Sequence, residues 1–175
     1  GAIPLQASIF NGDTETGVCT FLMDEGYDTG DIIVTRHTPL GPDETFSELA
    51  GRLAGVGAEV LAETIELLKS GEPVPRTVQP EEAEGGYTKP LKKDDLKLDW
   101  SQSAERVRNH IRGLAEVPAA ASFLANGDPV KIAAATPAPT EYQGKPGEVL
   151  GVIKGEGPIV ACGEGALILN RVKPA

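Results

Sequence analysis

The most regular pattern along the chain is an apolar stripe. Phe46, Leu49, Leu53, Val56, Val60, Thr64 and Leu67 recur at intervals of three and four. That spacing puts them on one face of an α-helix. Asp43 and Thr45 can each cap its start, and Lys69-Ser70-Gly71, with Pro73 beyond, ends it. A shorter helix is expected over residues 2–10, stopped by the turn signal Asn11-Gly12-Asp13. A third is expected over 102–113, with Ala104, Val107 and Ile111 as its apolar side. Between the first two helices lie two β-prone runs, Gly17 to Met23 and Ile32 to Thr35. After the third come short strands at 119–125, 129–135, 147–153, 158–162 and 166–172, with a hairpin turn at Asn126-Gly127. Residues 72–90 are rich in Pro, Glu and Gly and have no period, so they read as a linker. Apolar Val74 and Val78 within it point to a segment lying along a surface. The pattern predicts an α/β unit at 1–71 and a second unit at 91–175. Short strands broken by Gly and Pro make that second unit a small barrel.

Composition sharpens this division. The chain has 175 residues and a net charge of −10, and only 5% of its residues are aromatic. The core must therefore be built from Val, Ile, Leu and Ala. Residues 1–75 hold 3 basic and 13 acidic side chains, whereas 76–175 hold 13 of each. The second half can meet a polyanion that the first repels. Cys19 and Cys162 each sit in an apolar run, which suggests two buried free thiols in a reducing compartment. The two histidines have no Cys or His neighbours, so no metal site is expected. No apolar run reaches membrane-spanning length and no secretory segment is visible, which points to the cytoplasm. Gly1 opens the chain without an initiator Met inside an apparent helix, as a piece of a longer protein would.

The chemistry concentrates between the first two strands. Met23-Asp24-Glu25-Gly26-Tyr27-Asp28-Thr29-Gly30-Asp31 sets four carboxylates and two glycines at the rim of a sheet. Each carboxylate disfavours ionisation of its neighbours, so one of them can hold a proton near neutral pH. A solvated acidic turn and a proton-moving site both fit these residues. A calcium loop does not. Counted from Asp24, Gly26 and Thr29 fall where an oxygen ligand and a glycine are needed, and Thr35 replaces the closing Glu.

A second cluster is basic. Residues 87–112 carry Lys89, Lys92, Lys93, Lys97, Arg106, Arg108 and Arg112 against Asp94, Asp95, Asp99 and Glu105. An ordinary charged surface and a phosphate-contacting face are both open readings. Trp100 stands without an RNA-binding aromatic motif and is expected to anchor a small core. His37 and His110 read as surface or core fillers.

Several runs, in this order, resemble the methionyl-tRNA formyltransferases. They are Gly1-Ala2-Ile3-Pro4-Leu5-Gln6, Asn11-Gly12-Asp13-Thr14-Glu15-Thr16-Gly17-Val18 and Met23 to Asp31. Further on come Tyr87-Thr88-Lys89, Leu98-Asp99-Trp100-Ser101, Pro146-Gly147-Glu148-Val149-Leu150 and Gly163-Glu164-Gly165-Ala166-Leu167. The Thr-Gly-Val and Asp-x-Gly-x-Asp-x-Gly signatures are those of folate-dependent formyltransferases. The resemblance implies the C-terminal part of a Rossmann-like formyltransferase domain, a linker, and a small open β-barrel of the OB-like kind that binds tRNA.

It implies formyl transfer from 10-formyltetrahydrofolate to the amino group of methionyl initiator tRNA, with no metal. The family's catalytic Asp matches Asp28. Met23, Asp24, Glu25, Gly26 and Tyr27 become candidates for folate contact, and Lys92, Lys93, Arg106, Arg108 and Arg112 for nucleic acid. Asp24, Glu25 and Asp31 would tune the Asp28 pKa upward. The family's Asn-x-His and Ser-Leu-Leu-Pro loop is not among these residues, nor are its first strands or its closing strand and helix. The family's Pro-Trp-Pro-like run is replaced by Glu116-Val117-Pro118-Ala119-Ala120. The chain is thus expected to be a fragment with one catalytic residue of three, inactive alone. The family is monomeric. A fragment that exposes the apolar face of helix 44–69 is expected to self-associate. Two other readings share these residues: a formyltransferase acting on an amino sugar nucleotide, and a non-catalytic tRNA-binding module.

Overall fold

The computed structural model describes residues 1–80, 86–116 and 118–174. The first helix, α1, is Pro4–Asn11. Proline fits its first position because the missing N–H has no partner there anyway. Gly12 ends it in the left-handed region at φ 75°, returning its N–H to the carbonyls of Ser8 and Ile9. Strands β1 (Glu15–Phe21) and β2 (Ile32–Pro39) form an antiparallel hairpin, with the acidic loop at its tip. Among the described residues, the Rossmann-like sheet implied by the resemblance is represented by this antiparallel pair.

Helix α2, Phe46–Lys69, covers one face of the hairpin. Thr45 is its cap, exchanging hydrogen bonds with Glu48 in a capping box. Its buried stripe is Leu49, Leu53, Val60 and Thr64, four of the seven positions expected from the periodicity. Ile9, Leu40, Leu49 and Leu53 form a compact cluster with Leu5, Val18 and Phe46 around it. Farther along, the Thr64 and Thr20 hydroxyls meet at 2.6 Å. A second stripe, Leu61, Ile65 and Leu68, stays exposed. The apolar face expected to be bare is instead largely buried against the hairpin and α1, and the exposed apolar side chains form a different row of the same helix.

The linker does lie along a surface. Thr77 and Ile32 exchange both backbone hydrogen bonds, at 2.8 and 2.9 Å, which adds a short extended segment beside β2. The middle of the linker, 81–85, lies outside the described residues. Past it, Thr88 accepts the Ala2 and Ile3 N–H groups through its carbonyl and hydroxyl oxygens.

A 3₁₀ turn at Lys93–Leu96 leads to helix α3, Ala104–Gly113, capped by Ser103. The short turn was not expected. It forms because Asp95 accepts the Lys92 N–H three residues back, local chemistry that apolar periodicity does not register. Then come β3 (Ala120–Phe123), β4 (Pro129–Pro137), β5 (Val149–Ile153), β6 (Gly157–Ala161) and β7 (Ala166–Pro174). Asn126-Gly127 turns β3 into β4, with Gly127 at φ 89°.

The strand order is β3-β4-β7-β6-β5, all antiparallel. Among the described residues, no pairing joins β3 to β5, so the sheet is open and no closed barrel is present. Val107, Ile111 and Leu114 at α3 pack with Ile132, Val160, Cys162, Leu167 and Leu169 to make the largest core. Trp100 packs against it and donates its indole N–H to Ser122 at 3.0 Å, the anchoring role expected of it. A smaller cluster, Ile159, Ala166 and Ile168, covers other positions of β6 and β7. Both faces of these central strands are thus dry.

The thiols split. Cys162 is buried, as expected, and burial pushes its pKa up to about 11. Cys19 is exposed, which corrects the expectation. In β1 it alternates with Val18 and Thr20, which face α2, so Cys19 points to the uncovered side of the hairpin. No helix among the described residues is long and apolar enough to cross a membrane.

Candidate functional site

The acidic loop leaves the sheet at Leu22, whose N–H donates to the Asp31 carbonyl at 2.9 Å and pinches the loop shut. Gly30 makes this closure possible, because a Cβ there would overlap the Leu22 carbonyl. Inside the loop, Asp24 accepts from the Gly26 N–H at 2.9 Å and the Thr29 hydroxyl at 2.6 Å. Those bonds, the one from Thr29 first, hold the Asp24 carboxyl below its ordinary value. For Asp24 this reverses the expected effect of acid crowding. Hydrogen bonds to the charged form outweigh repulsion that water screens.

Asp28 lies at the outer turn of the loop with φ 58°, a left-handed conformation that Asp tolerates better than most residues. Met23 is 89% exposed and Tyr27 94% exposed, so two apolar side chains flank the carboxylates in solvent. Glu25 and Gly26 are exposed as well.

The linker braces the loop from beside it. Gln79 donates to the Gly30 carbonyl at 2.7 Å, and Arg76 stands 3.9 Å from Asp31. A cavity of about 210 Å³ opens here, lined by Gly1, Pro4, Asp28, Gln79, Tyr87 and Thr88 among others. Gln79 was not singled out from the sequence; its only signal was the apolar pair Val74 and Val78, which argued that the linker hugs a surface. Thr88 stood only within the Tyr87-Thr88-Lys89 run, with no role of its own.

Two more cavities lie on the surface beyond residue 88. Ile3, Phe10, Lys89, Leu91, Lys92 and His110 line one of about 400 Å³. Phe10, Gln102, Arg106 and His110 line another of about 300 Å³. The chain passes directly from Thr88 in the first to Lys89 in the second, and Phe10 and His110 divide the second from the third. His110 fills space here. Its ring lies 5.2 Å from that of Phe10, and its Nε2 lies 2.7 Å from the Asp95 carbonyl oxygen.

The five basic candidates separate. Lys92, Lys93 and Arg106 are exposed. Arg108 is mostly covered and paired with Asp43. Arg112 is only 7% exposed and donates to Asn109 Oδ1 at 2.8 Å and to the Glu44 and Gly41 carbonyls at 2.8 and 3.3 Å. It does not belong to a phosphate-contacting face. It stands a helical turn from Arg108, on the side of α3 that packs against the chain before α2. Among the described residues, no three His, Cys, Asp or Glu side chains gather as a metal-binding group.

Comparison with known proteins agrees with this geometry. Residues 1–65 match the family described as Formyl transferase, and residues 90–175 match Formyl transferase, C-terminal domain. Methionyl-tRNA formyltransferase from Synechococcus sp. strain JA-2-3B'a(2-13) is 42% identical over 99% of this chain and 54% of its own length. The enzyme of that name from Symbiobacterium thermophilum is 44% identical over 99% of this chain and 53% of its own length. The chain therefore spans about half the length of the curated relatives it matches. Among solved structures, HypX from Aquifex aeolicus in complex with tetrahydrofolic acid superposes with a TM-score of 0.71 at 24% identity, covering 99% of this chain and 30% of that one. That likeness speaks for the fold. The two family matches span both the hairpin with its acidic loop and the five-stranded sheet, and the chain belongs to the formyl transferase family.

Proposed function

We propose that the full-length protein transfers a formyl group from 10-formyltetrahydrofolate to the amino group of methionyl initiator tRNA, in the cytoplasm, at the start of translation. One observation carries this reading. Asp28 and Thr88 line one cavity, Lys89 and the exposed Lys92 line a second, and the exposed Arg106 lines a third that shares Phe10 and His110 with the second. An aminoacylated RNA end laid across these cavities brings its amine to a carboxylate and its phosphates to cations. The relatives' shared name supports the acceptor.

The loop fits a flat folate ring. Gly26 is exposed and its missing Cβ leaves room for the Thr29 side chain, while Met23 and Tyr27 offer exposed apolar surface along the loop. Met23 to Tyr27 are the folate-contact residues of this reading. In the reaction, the amine nitrogen bonds to the formyl carbon while the bond from that carbon to the donor nitrogen breaks. The amine must lose a proton and the leaving nitrogen must gain one. Asp28 accepts the first and supplies the second, directly or through water.

Residues 1–71 form the C-terminal part of the catalytic domain in this reading, 72–90 the linker, and 91–175 a barrel-like tRNA-binding domain. The barrel reading is supported by a cavity of about 260 Å³ lined by side chains from all five strands and Trp100.

The test is direct. Full-length protein is incubated with 10-formyltetrahydrofolate and either methionyl initiator tRNA or an amino sugar nucleotide, and the product is identified by mass. Formylmethionyl-tRNA is expected. Formylation of the sugar nucleotide alone, or salt-sensitive tRNA binding without transfer, overturns the reading.

A further inference from the structure

We propose that Arg112 is a positioning residue that fixes the five-stranded unit at one angle to the hairpin unit carrying Asp28. The two units are connected in sequence by a Pro- and Gly-rich segment, whose composition does not set an angle. What sets it lies on α3. Its Arg112 guanidinium is buried between the units and donates to two main-chain carbonyls of the first, Gly41 and Glu44. Its Nε is held by Asn109 on the same helix, so the planar group cannot swing. Arg108, one turn earlier, pairs with Asp43. Three of four consecutive residues ahead of α2 are thereby gripped by two arginines.

The grip continues toward the chemistry. The Glu44 carboxylate takes the Arg52 guanidinium in two bonds, 2.8 and 2.9 Å, and accepts the Gly41 N–H at 3.1 Å. Arg52 in turn donates to the Thr38 hydroxyl at 2.6 Å and the Pro39 carbonyl at 2.9 Å. Thr38 and Pro39 end β2, the strand that begins just after the acidic loop. A chain of charge-assisted hydrogen bonds therefore runs from α3 to the hairpin that presents Asp28.

Apolar packing supports the same joint. Phe10 of α1 lies against Gly113 so closely that a Cβ there would overlap its ring. The apolar contact resists separation but tolerates rotation. The guanidinium, with its fixed fork, does not. An acceptor that touches both units feels that angle. One that touches only the loop does not.

The experiment has two arms on the full-length protein. In the first, spin labels at Glu59→Cys on α2 and Lys154→Cys between β5 and β6, in a Cys19→Ser background, report the distance between units. A single narrow distribution is expected, broadened by Arg112→Met and still broadened by Arg112→Lys, which keeps the charge but not the planar fork. An unchanged distribution in Arg112→Met overturns the proposal. If that variant does not fold, Arg112→Gln takes its place with the same two outcomes.

The second arm rests on the proposed activity. Arg112→Met is expected to raise KM for whole methionyl initiator tRNA about tenfold while kcat stays within about twofold, because the defect is one of docking. Equal losses in kcat and in kcat/KM would mark a merely structural role and overturn the kinetic claim. Wild-type protein that formylates no tRNA defeats the functional reading, and the distance arm still decides the role of Arg112.

Discussion

The hairpin unit and the five-stranded unit bury their apolar residues in opposite ways. Around the five strands, α3 seals one extended core, and a second cluster dries other positions of β6 and β7. Around the hairpin, four buried residues gather at one end of α2, and the far end of that helix keeps Leu61, Ile65 and Leu68 in water. The two regions also differ in chemistry. The thinly packed one carries the carboxylates and Asp28, while the densely packed one contributes cations at its margin. In the proposed reading, stability and reactivity are thus assigned to different parts of the chain, which is how rigid scaffolds commonly present functional loops.

Asp28→Asn gives the largest effect and tests the reactive side of that contrast. In the full-length protein it should lower formyl transfer by about 1,000-fold, since it removes the proton acceptor and changes little else. Asp28 makes no core contact, so the melting temperature should stay within a degree or two. A mutant within a few-fold of wild type would remove Asp28 from the mechanism.

Core truncation tests the other side. Leu167→Ala empties a fully buried position in β7 and should cost about 2–5 kcal/mol. Leu49→Ala, equally buried in α2, should cost about the same. The two report through different signals. Trp100 is the only tryptophan and sits against the five-stranded core, so its fluorescence follows that unit. Leu167→Ala should move the tryptophan transition in urea. Leu49→Ala should move the helical circular dichroism at lower urea and leave the tryptophan transition in place. Both mutants shifting both signals together would mean that the units unfold as one, and the contrast would fail.

How much of this was legible follows the same physics. The long helix, its Thr45 cap, the Asn126-Gly127 turn and all seven strands were readable, because period and turn chemistry are local. Cys19 was misread because an apolar strand was assumed to be covered on both faces. Arg112 was misread because a basic residue in a basic stretch carries no mark of burial. Its partners are main-chain carbonyls some 70 positions earlier, and carbonyls have no side-chain signature. The Asp24 carboxyl was misjudged because two hydrogen bonds from a turn were invisible beside four negative charges. The misses at Cys19 and Arg112 are effects of tertiary proximity, whereas the Asp24 bonds and the 3₁₀ turn are local polar chemistry that an apolar pattern does not register.

Glu44 links the two regions and should show a smaller, pH-dependent effect. The Arg52 hydrogen bonds are the main reason its carboxyl lies below its ordinary 4.5, with the Gly41 N–H and the Arg112 charge contributing less. A depressed folded-state pKa adds stability above the unfolded value and loses it as pH falls through the folded one. Glu44→Gln should therefore cost about 1–3 kcal/mol at pH 7. The gap between mutant and wild type should close as pH drops below 4.5. Thermal melts from pH 7 to pH 3 would check this, and a gap independent of pH would exclude the ion pair as its cause.

The exposed stripe of α2 should give the smallest effect and the sharpest view of the contrast. Leu61, Ile65 and Leu68 lie on the same helix as Leu49 and Leu53 and are as apolar, so only their surroundings differ. A leucine in water on both sides of the unfolding equilibrium contributes little, whatever its hydrophobicity. Replacing each by Gln should change the unfolding free energy of the 175-residue chain, read from urea melts, by no more than about 0.5 kcal/mol, far below Leu49→Ala. The same three changes made in the full-length protein form the comparison. A cost that stays near zero there leaves the stripe as free surface. A cost that rises to about 2 kcal/mol or more for each residue means that other chain covers the stripe, because only desolvation can change the value of a side chain whose helix is unaltered. The thin packing of the hairpin unit would then belong to these 175 residues rather than to the design of its fold.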